Sequence, residues 1–289
     1  MQIALFHNSS AGSEDHTDAK LVKLLGQAGH EVVHVVSRFP DLAAALQQKP
    51  CDLVVVAGGD GTVGRAACEL ADWAIPLAIL PLGTANNTAL TLGPLKSPKL
   101  LAQSWEAAER VPFDIAFLDD GSVRQCVSEA VGWGVFPLTV VEAKKRPSKG
   151  SNGRRLSRDR KLFRSLIDST EARPYQIEVD QRDYSGSYIM VQIMNLPFIG
   201  PRLKLSPDSD PSDGLLDIVL ASDAERGVLH ELARTGTLDR GALPCVRGQH
   251  VRVLASDGVL HKDGSLLRHP LGVREFQVSV RGGAVRYLR

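Results

Sequence analysis

The sequence predicts an α/β amino-terminal domain built on a doubly wound parallel sheet, followed by a mainly antiparallel β domain, with a cleft between the two. Three observations carry this. Apolar, β-branched runs alternate with amphipathic helical stretches up to about residue 110. From Asp114 onward, strand-like segments follow one another across turns such as Asp120-Gly121 and Asp213-Gly214. Three polar, small-residue turns, 7–12, 58–62 and 83–88, fall at the carboxyl ends of strands, where open α/β sheets bind ligands.

Taken in order, residues 3–6 form a first strand and 20–28 a helix with Leu21, Leu24, Leu25 and Ala28 on one face, ending at Gly29. A strand at 31–36 and a helix at 41–48 follow. Leu53-Val54-Val55-Val56-Ala57 is the continuous run expected of a strand buried on both faces. It stops at Gly58-Gly59-Asp60-Gly61-Thr62, after which Val63, Ala66, Ala67 and Leu70 fall at helical spacing. A strand at 74–80 opens into Pro81-Leu82-Gly83-Thr84-Ala85-Asn86-Asn87-Thr88, and 100–109 reads as a helix. Later strands are expected at 115–118, 176–179, 188–194, 216–221, 251–255 and 275–280, without regular helices between them. The domain boundary is expected at 112–120.

Composition removes several classes. Hydrophobic content of 43% and charged content of 23% are ordinary for a globular chain, and a net charge of +1 gives no global field towards nucleic acid. Cys51, Cys68, Cys126 and Cys245 are widely spaced with no C-x-x-C pair, so they read as reduced thiols and not as structural zinc ligands. The start runs directly into a strand with no basic leader, and no run of about 18 apolar residues could span a bilayer. The expected location is cytoplasmic. One stretch is strongly charged: 144–164 carries ten Lys and Arg against the single Asp159, which leaves the remainder at −8. It reads either as a docking surface for anionic lipid headgroups or as a solvated loop and exposed helix with Leu156, Phe163, Leu166 and Ile167 partly packed.

Strand, glycine turn and helix is the local structure that cradles phosphate. Glycine lets the backbone approach a ligand, and the helix start offers unpaired N–H groups and a positive dipole end. A plain strand-to-helix turn capped by Thr62 is the structural alternative. Gly59, Gly61 and Gly64 also match G-x-G-x-x-G. A dinucleotide site, however, needs an acidic residue about 20 residues further on, and no Asp or Glu occurs between Asp72 and Glu106. No Gly-Lys-Ser or Gly-Lys-Thr is present, which removes a Walker-type loop.

Together, Gly58-Gly59-Asp60-Gly61-Thr62 and Pro81-Leu82-Gly83-Thr84-Ala85-Asn86-Asn87 resemble the two signatures of the diacylglycerol kinase catalytic-domain family, which includes bacterial lipid kinases and the sphingosine and ceramide kinases. Residues 8–12 look like a degenerate copy of its first nucleotide loop, Asp213-Gly214-Leu215 like its Asp-Gly-Leu motif, and Asp263-Gly264-Ser265 falls where it carries Asp-Gly-Glu. The resemblance implies an ATP-binding domain at 1–118, a β-rich lipid domain at 119–289, and an active site in the interdomain cleft. It implies nucleotide contacts from Asn8, Ser37, Gly58, Gly59, Asp60, Gly61, Thr62, Gly64, Gly83, Thr84 and Asn86. Asp263 matches the proton acceptor. Asp213, with the carbonyls of Asp210 and Leu215, matches a structural magnesium site, whose hard oxygen ligands suit Mg²⁺.

The implied activity is transfer of the γ-phosphoryl group of ATP to a membrane-lipid hydroxyl, by a cytoplasmic enzyme that associates with the membrane at its periphery. Oligomeric state is left open, a homodimer included. Three departures bear on this. Asn87 stands where many members have Asp, the first loop lacks its proline and final serine, and Ser265 replaces an acidic residue. The last two motivate a second reading, a non-catalytic nucleotide- or lipid-binding relative. A third is an NAD kinase, which shares the Gly-Gly-Asp-Gly-Thr turn. Pro-Leu-Gly-Thr-Ala-Asn-Asn in place of Asn-Leu-Gly-x-Leu-Gly-Phe, and Ser128-Glu129 in place of Asn-Glu, weigh against it.

Overall fold

A computed structural model describes residues 1–8, 16–71, 73–145 and 151–289. The chain forms two compact units, one of Met1–Phe113 with Gly283–Arg289, the other of Asp114–Gly282.

The first unit is a parallel sheet. Its strands are β1 (Gln2–His7), β2 (Glu31–Val36), β3 (Leu53–Gly58) and β4 (Leu77–Pro81), in the order β2-β1-β3-β4. Every residue of β3 is buried, as its uninterrupted apolar run requires. Helices α1 (Asp18–Gln27), α2 (Phe39–Gln48), α3 (Asp60–Glu69), α4 (Asn87–Leu92) and α5 (Pro98–Ser104) connect and cover the strands. Leu21 and Leu25 of α1 pack on Ile3, Leu5, Leu53 and Val55, together with Ala102 and Trp105. Each such leucine contributes about 1.5–3 kcal/mol of burial.

Of the boundaries that differ from the sequence reading, two do so because of proline. β4 begins after Pro76, which has no N–H to give a ladder but whose carbonyl accepts the Val54 N–H at 3.0 Å. α2 starts two residues early because Pro40 suits a helix's first turn. The expected helix at 100–109 is α5 followed by a short 3₁₀ turn, Trp105–Ala107.

The second unit is a β sandwich with helices on one outer face. One antiparallel sheet runs Cys245–Gly248, Leu216–Ala221, Met190–Met194, Ala130–Gly134, Val259–Lys262, Ser265–Arg268. Facing it are Arg173–Val179, His250–Ala255 and the residues from Arg274 to Ser279. Trp133, Val191 and Ile218 of the first layer share a core with Tyr175, Ile177, Val253 and Phe276 of the second. Contrary to the reading of a unit without regular helices, three are present among its described residues: α6 (Val135–Lys145), α7 (Asn152–Ile167) and α8 (Arg226–Thr235). Their apolar faces, with Phe136, Phe163, Ile167, Leu229 and Leu232, cover the other side of the first sheet at Met190, Met194 and Val219.

In the described part of the basic stretch, Arg160 is used internally. Its guanidinium donates to the carbonyls of Pro201 at 2.9 Å and Arg202 at 2.8 Å. Residues 146–150 of that stretch lie outside the described residues, as do residues 9–12 of the first loop. Cys51 and Cys245 are free thiols, whereas Cys68 and Cys126 are disulfide-bonded, which corrects the expectation of four reduced cysteines. No helix among the described residues is long and apolar enough to cross a membrane.

Candidate active site

In the first unit the strand-end loops converge. Gly59 is the N-cap of α3, and no side chain caps that helix start. The Thr62 and Val63 N–H groups both turn back to the Gly59 carbonyl, at 2.9 and 3.0 Å. Gly83, after β4, lies directly against it: a Cβ on Gly83 would stand 2.4 Å from Gly59 Cα and 2.8 Å from Asn86 Oδ1. Only a residue without a side chain permits that approach. Asn8, at the end of β1, donates from Nδ2 to Thr62 Oγ1 at 2.8 Å, and its N–H donates to the Ala57 carbonyl at 3.1 Å. Loops after β1, β3 and β4 are therefore tied together around Gly59 and Thr62.

Two residues read as ligand contacts also build the cradle. Asp60 accepts the Thr88 N–H at 3.2 Å and further backbone N–H groups of Asn86 and Asn87, so it caps α4 from a distance in sequence. Burial raises its pKa from the ordinary carboxylate range, while those N–H groups pull it back. Asn86 is left-handed, with φ 56°, and buried. Its Oδ1 accepts the Gly83 N–H at 2.9 Å, and its Nδ2 donates to the carbonyls of Gly83 and Pro81 at 3.0 and 3.3 Å. Its amide thus fixes the 83–86 bend. Thr84 is half-buried in that bend, Gly61 is exposed in the first turn of α3, Gly64 is buried within α3, and Ser37 is exposed just beyond β2.

In the second unit, Asp263 occupies the tip of the hairpin formed by Val259–Lys262 and Ser265–Arg268, at φ 50°. Its Oδ1 accepts backbone N–H groups from Ser128, Glu129 and Ala130 at 3.2, 2.8 and 3.2 Å, while Oδ2 has a single 3.4 Å contact with the Ser128 N–H. Burial raises the Asp263 pKa, opposed by the Glu129 N–H, the Lys262 charge and the Ser128 and Ala130 N–H groups. Lys262 itself donates to the Cys126 carbonyl at 3.1 Å, and Ser265 is exposed.

The surroundings of this hairpin depart from the solvated turn that the sequence suggests for His261 and Lys262. His261 is fully buried, 2.6 Å from Gln192 Oε1 and 3.1 Å from the Asp263 carbonyl. Desolvation lowers its pKa to about 4, so the ring is neutral and donates one hydrogen bond, not two. Asn195, also buried, donates to the carbonyls of Asp114 and Ser128 at 2.9 and 3.0 Å, fixing the segment whose amides hold Asp263. Ser128-Glu129 was the one local signal.

The implied magnesium site differs in arrangement. Asp213 Oδ1 accepts the Leu215 N–H at 2.9 Å, and its Oδ2 is paired with the Arg247 guanidinium. The Asp210 carbonyl accepts the Asp213 N–H at 3.4 Å, and the Asp210 side chain accepts from Ser212 at 2.6 Å. Arg247 also lies 3.6 Å from the buried Asp217 carboxylate. The carboxylate that would hold the metal is thus paired with a guanidinium, which a divalent cation would have to displace.

Comparison with known proteins agrees with these two units. Residues 2–118 match the family model described as the diacylglycerol kinase catalytic domain, and residues 162–288 match that of the YegS C-terminal NAD kinase beta sandwich-like domain. A diacylglycerol kinase of Mycobacterium tuberculosis (strain CDC 1551 / Oshkosh) is 31% identical over 232 residues, covering 76% of this chain and 69% of that one. Its counterpart in strain ATCC 25618 / H37Rv gives the same figures. The crystal structure of a diacylglycerol kinase from Bacillus anthracis str. Sterne shares the fold, with a TM-score of 0.73 at 20% identity over 99% of this chain and 96% of that chain. By its glycine-turn signatures, the order of its two family matches and this level of identity, the chain belongs to the diacylglycerol kinase catalytic-domain family.

Proposed function

We propose that the protein is an ATP-dependent lipid kinase that transfers the γ-phosphoryl group of ATP to a hydroxyl of a diacylglycerol-like membrane lipid, working at an anionic membrane surface. The observation that carries this reading is the convergence of the loops after β1, β3 and β4 on Gly59 and Thr62, built by the Asn8–Thr62 bond, the Gly59–Gly83 contact and the Asp60 cap. Phosphoryl transfer demands positioning and charge neutralisation more than covalent chemistry. The substrate is ATP as its magnesium complex, in which the metal neutralises phosphate charge.

In this reading the backbone of Gly58, Gly59, Asp60, Gly61, Thr62 and Gly64 lies along the phosphates at the positive end of α3, with Gly83, Thr84 and Asn86 closing one side. Asn8 and Ser37 contact the rest of the nucleotide. Asp263 takes the proton of the lipid hydroxyl as its oxygen attacks the γ-phosphorus. Three amides fix Oδ1, so Oδ2 is the oxygen with capacity to accept. A pKa raised by burial makes that carboxylate a stronger base, and a positioned base contributes about 10²–10⁴-fold.

Incubation of the full chain with γ-labelled ATP, Mg²⁺ and vesicles carrying diacylglycerol, a phosphatidylglycerol and a long-chain base tests this. A labelled, chloroform-soluble product is expected. ATP binding without any labelled lipid contradicts the reading and indicates a non-catalytic relative, and NADP formation from NAD would replace it with a nucleotide kinase.

A further inference from the structure

The two most exposed large apolar side chains among the described residues stand two positions apart. Leu271 is 87% and Val273 71% solvent-accessible, on the turn joining Ser265–Arg268 to the strand that begins at Arg274. Single exposed apolar residues are ordinary on a protein surface. Here two share one turn, Arg268-His269-Pro270-Leu271-Gly272-Val273-Arg274, which contains two arginines and a histidine and no acidic residue.

The base of the turn is held firmly. The His269 N–H donates to the Gly258 carbonyl at 3.0 Å, and Arg274 Nη1 donates to His269 Nδ1 at 2.9 Å. Gly272, at φ 131°, turns the tip outward in a conformation that a side chain disfavours. Beside it is a cavity of about 310 Å³, lined among others by Leu138, Val259 and Leu271, with the Arg173–Asp257 pair at 3.6 Å in its wall.

We propose that this turn is a membrane anchor. Leu271 and Val273 enter the boundary between headgroups and acyl chains, while Arg268 and Arg274 lie at the level of the lipid phosphates. Apolar tips flanked by cations fit an anionic bilayer, since the tips gain burial and the cations are drawn to the lipid phosphates. The absence of any carboxylate from the turn supplies the charge complementarity. A lipid occupant is chosen over a second copy because the turn's charge has one sign, which two identical turns would set against each other. The inference rests on the reading of a membrane-lipid substrate, and it is separate from the basic stretch at 144–164.

Co-sedimentation of the full chain with phosphatidylglycerol and with phosphatidylcholine vesicles tests it, using wild type and the double variant Leu271→Gln/Val273→Gln. Both changes are at exposed positions, and an unchanged Tm confirms that the variant is folded. Wild type is expected to bind the anionic vesicles, weakening as salt rises, and the double variant to bind at least tenfold more weakly. Turnover on a short-chain, detergent-dispersed diacylglycerol is expected to be the same for both. Failure of the kinase reading would show there, as no labelled lipid from either protein, independently of the vesicle result. Vesicle binding by the double variant equal to wild type overturns the anchor, as does loss of a wild-type dimer with vesicle binding unchanged.

Discussion

Replacing Gly83 by alanine tests the loop convergence at its tightest point. The added Cβ would stand 2.4 Å from Gly59 Cα and 2.8 Å from Asn86 Oδ1. Carbon atoms rest at about 3.5–4.0 Å, so the two loops must part by roughly 1 Å. Overpacking of this kind costs about 1–3 kcal/mol, and each kcal/mol lowers Tm by about 2–4 °C in a chain of this class. A displacement of about 1 Å in positioning groups costs up to about 10²-fold in turnover.

Gly61→Ala is the matched control, because a Cβ there meets nothing within 4 Å and the site is exposed in the first turn of α3. It is expected to leave Tm unchanged or raise it, by up to about 1 kcal/mol of helix propensity. Its affinity for ATP is nevertheless expected to fall at least tenfold, because the backbone there must meet the phosphates. Thermal unfolding and calorimetric titration with magnesium ATP read both quantities. Wild-type Tm and affinity in Gly83→Ala, or wild-type affinity in Gly61→Ala, would refute the reasoning.

Asp263→Asn keeps an oxygen for the three amides and removes the base. Turnover is expected to fall at least tenfold with Tm nearly unchanged, and wild-type turnover would reject the assignment. Arg247 already neutralises Asp213, so EDTA is expected to leave the Tm of the nucleotide-free protein unchanged, while Arg247→Ala lowers Tm and makes it responsive to added Mg²⁺; a marked EDTA effect on wild type would contradict this. The buried His261 binds its proton at about 4 when folded, against an ordinary 6.5 when unfolded. Its contribution is therefore complete above about pH 6.5 and lost as pH falls towards 4, amounting to about 3 kcal/mol. Tm measured from pH 7 to 4.5 is expected to fall less steeply in His261→Gln, and parallel curves would exclude the effect.

How legible each part was in the sequence follows from how local its causes are. β3 needed only its own apolar run, and the turn into α3 only its glycines. α4 escaped because six residues, Asn-Thr-Ala-Leu-Thr-Leu, carry too little periodicity, and its cap comes from Asp60, 28 positions away. α6 contains Pro137, which reads as a breaker but sits harmlessly in the first turn. Asp263 stands out in the sequence by its Asp-Gly motif, yet its amide clamp lies 133–135 positions earlier, and no spacing rule connects the two. Likewise nothing near Asp213 announces Arg247, 34 positions on, so the ion pair at the implied metal site has no local signal.

Amide hydrogen exchange of the full chain with and without magnesium ATP is the most direct test of where the nucleotide sits. Slower exchange is expected at Gly59, Gly61, Thr62 and Thr84, with the turn carrying Leu271 and Val273 unaffected. Exchange unchanged at those four amides under saturating ATP would contradict the phosphate cradle.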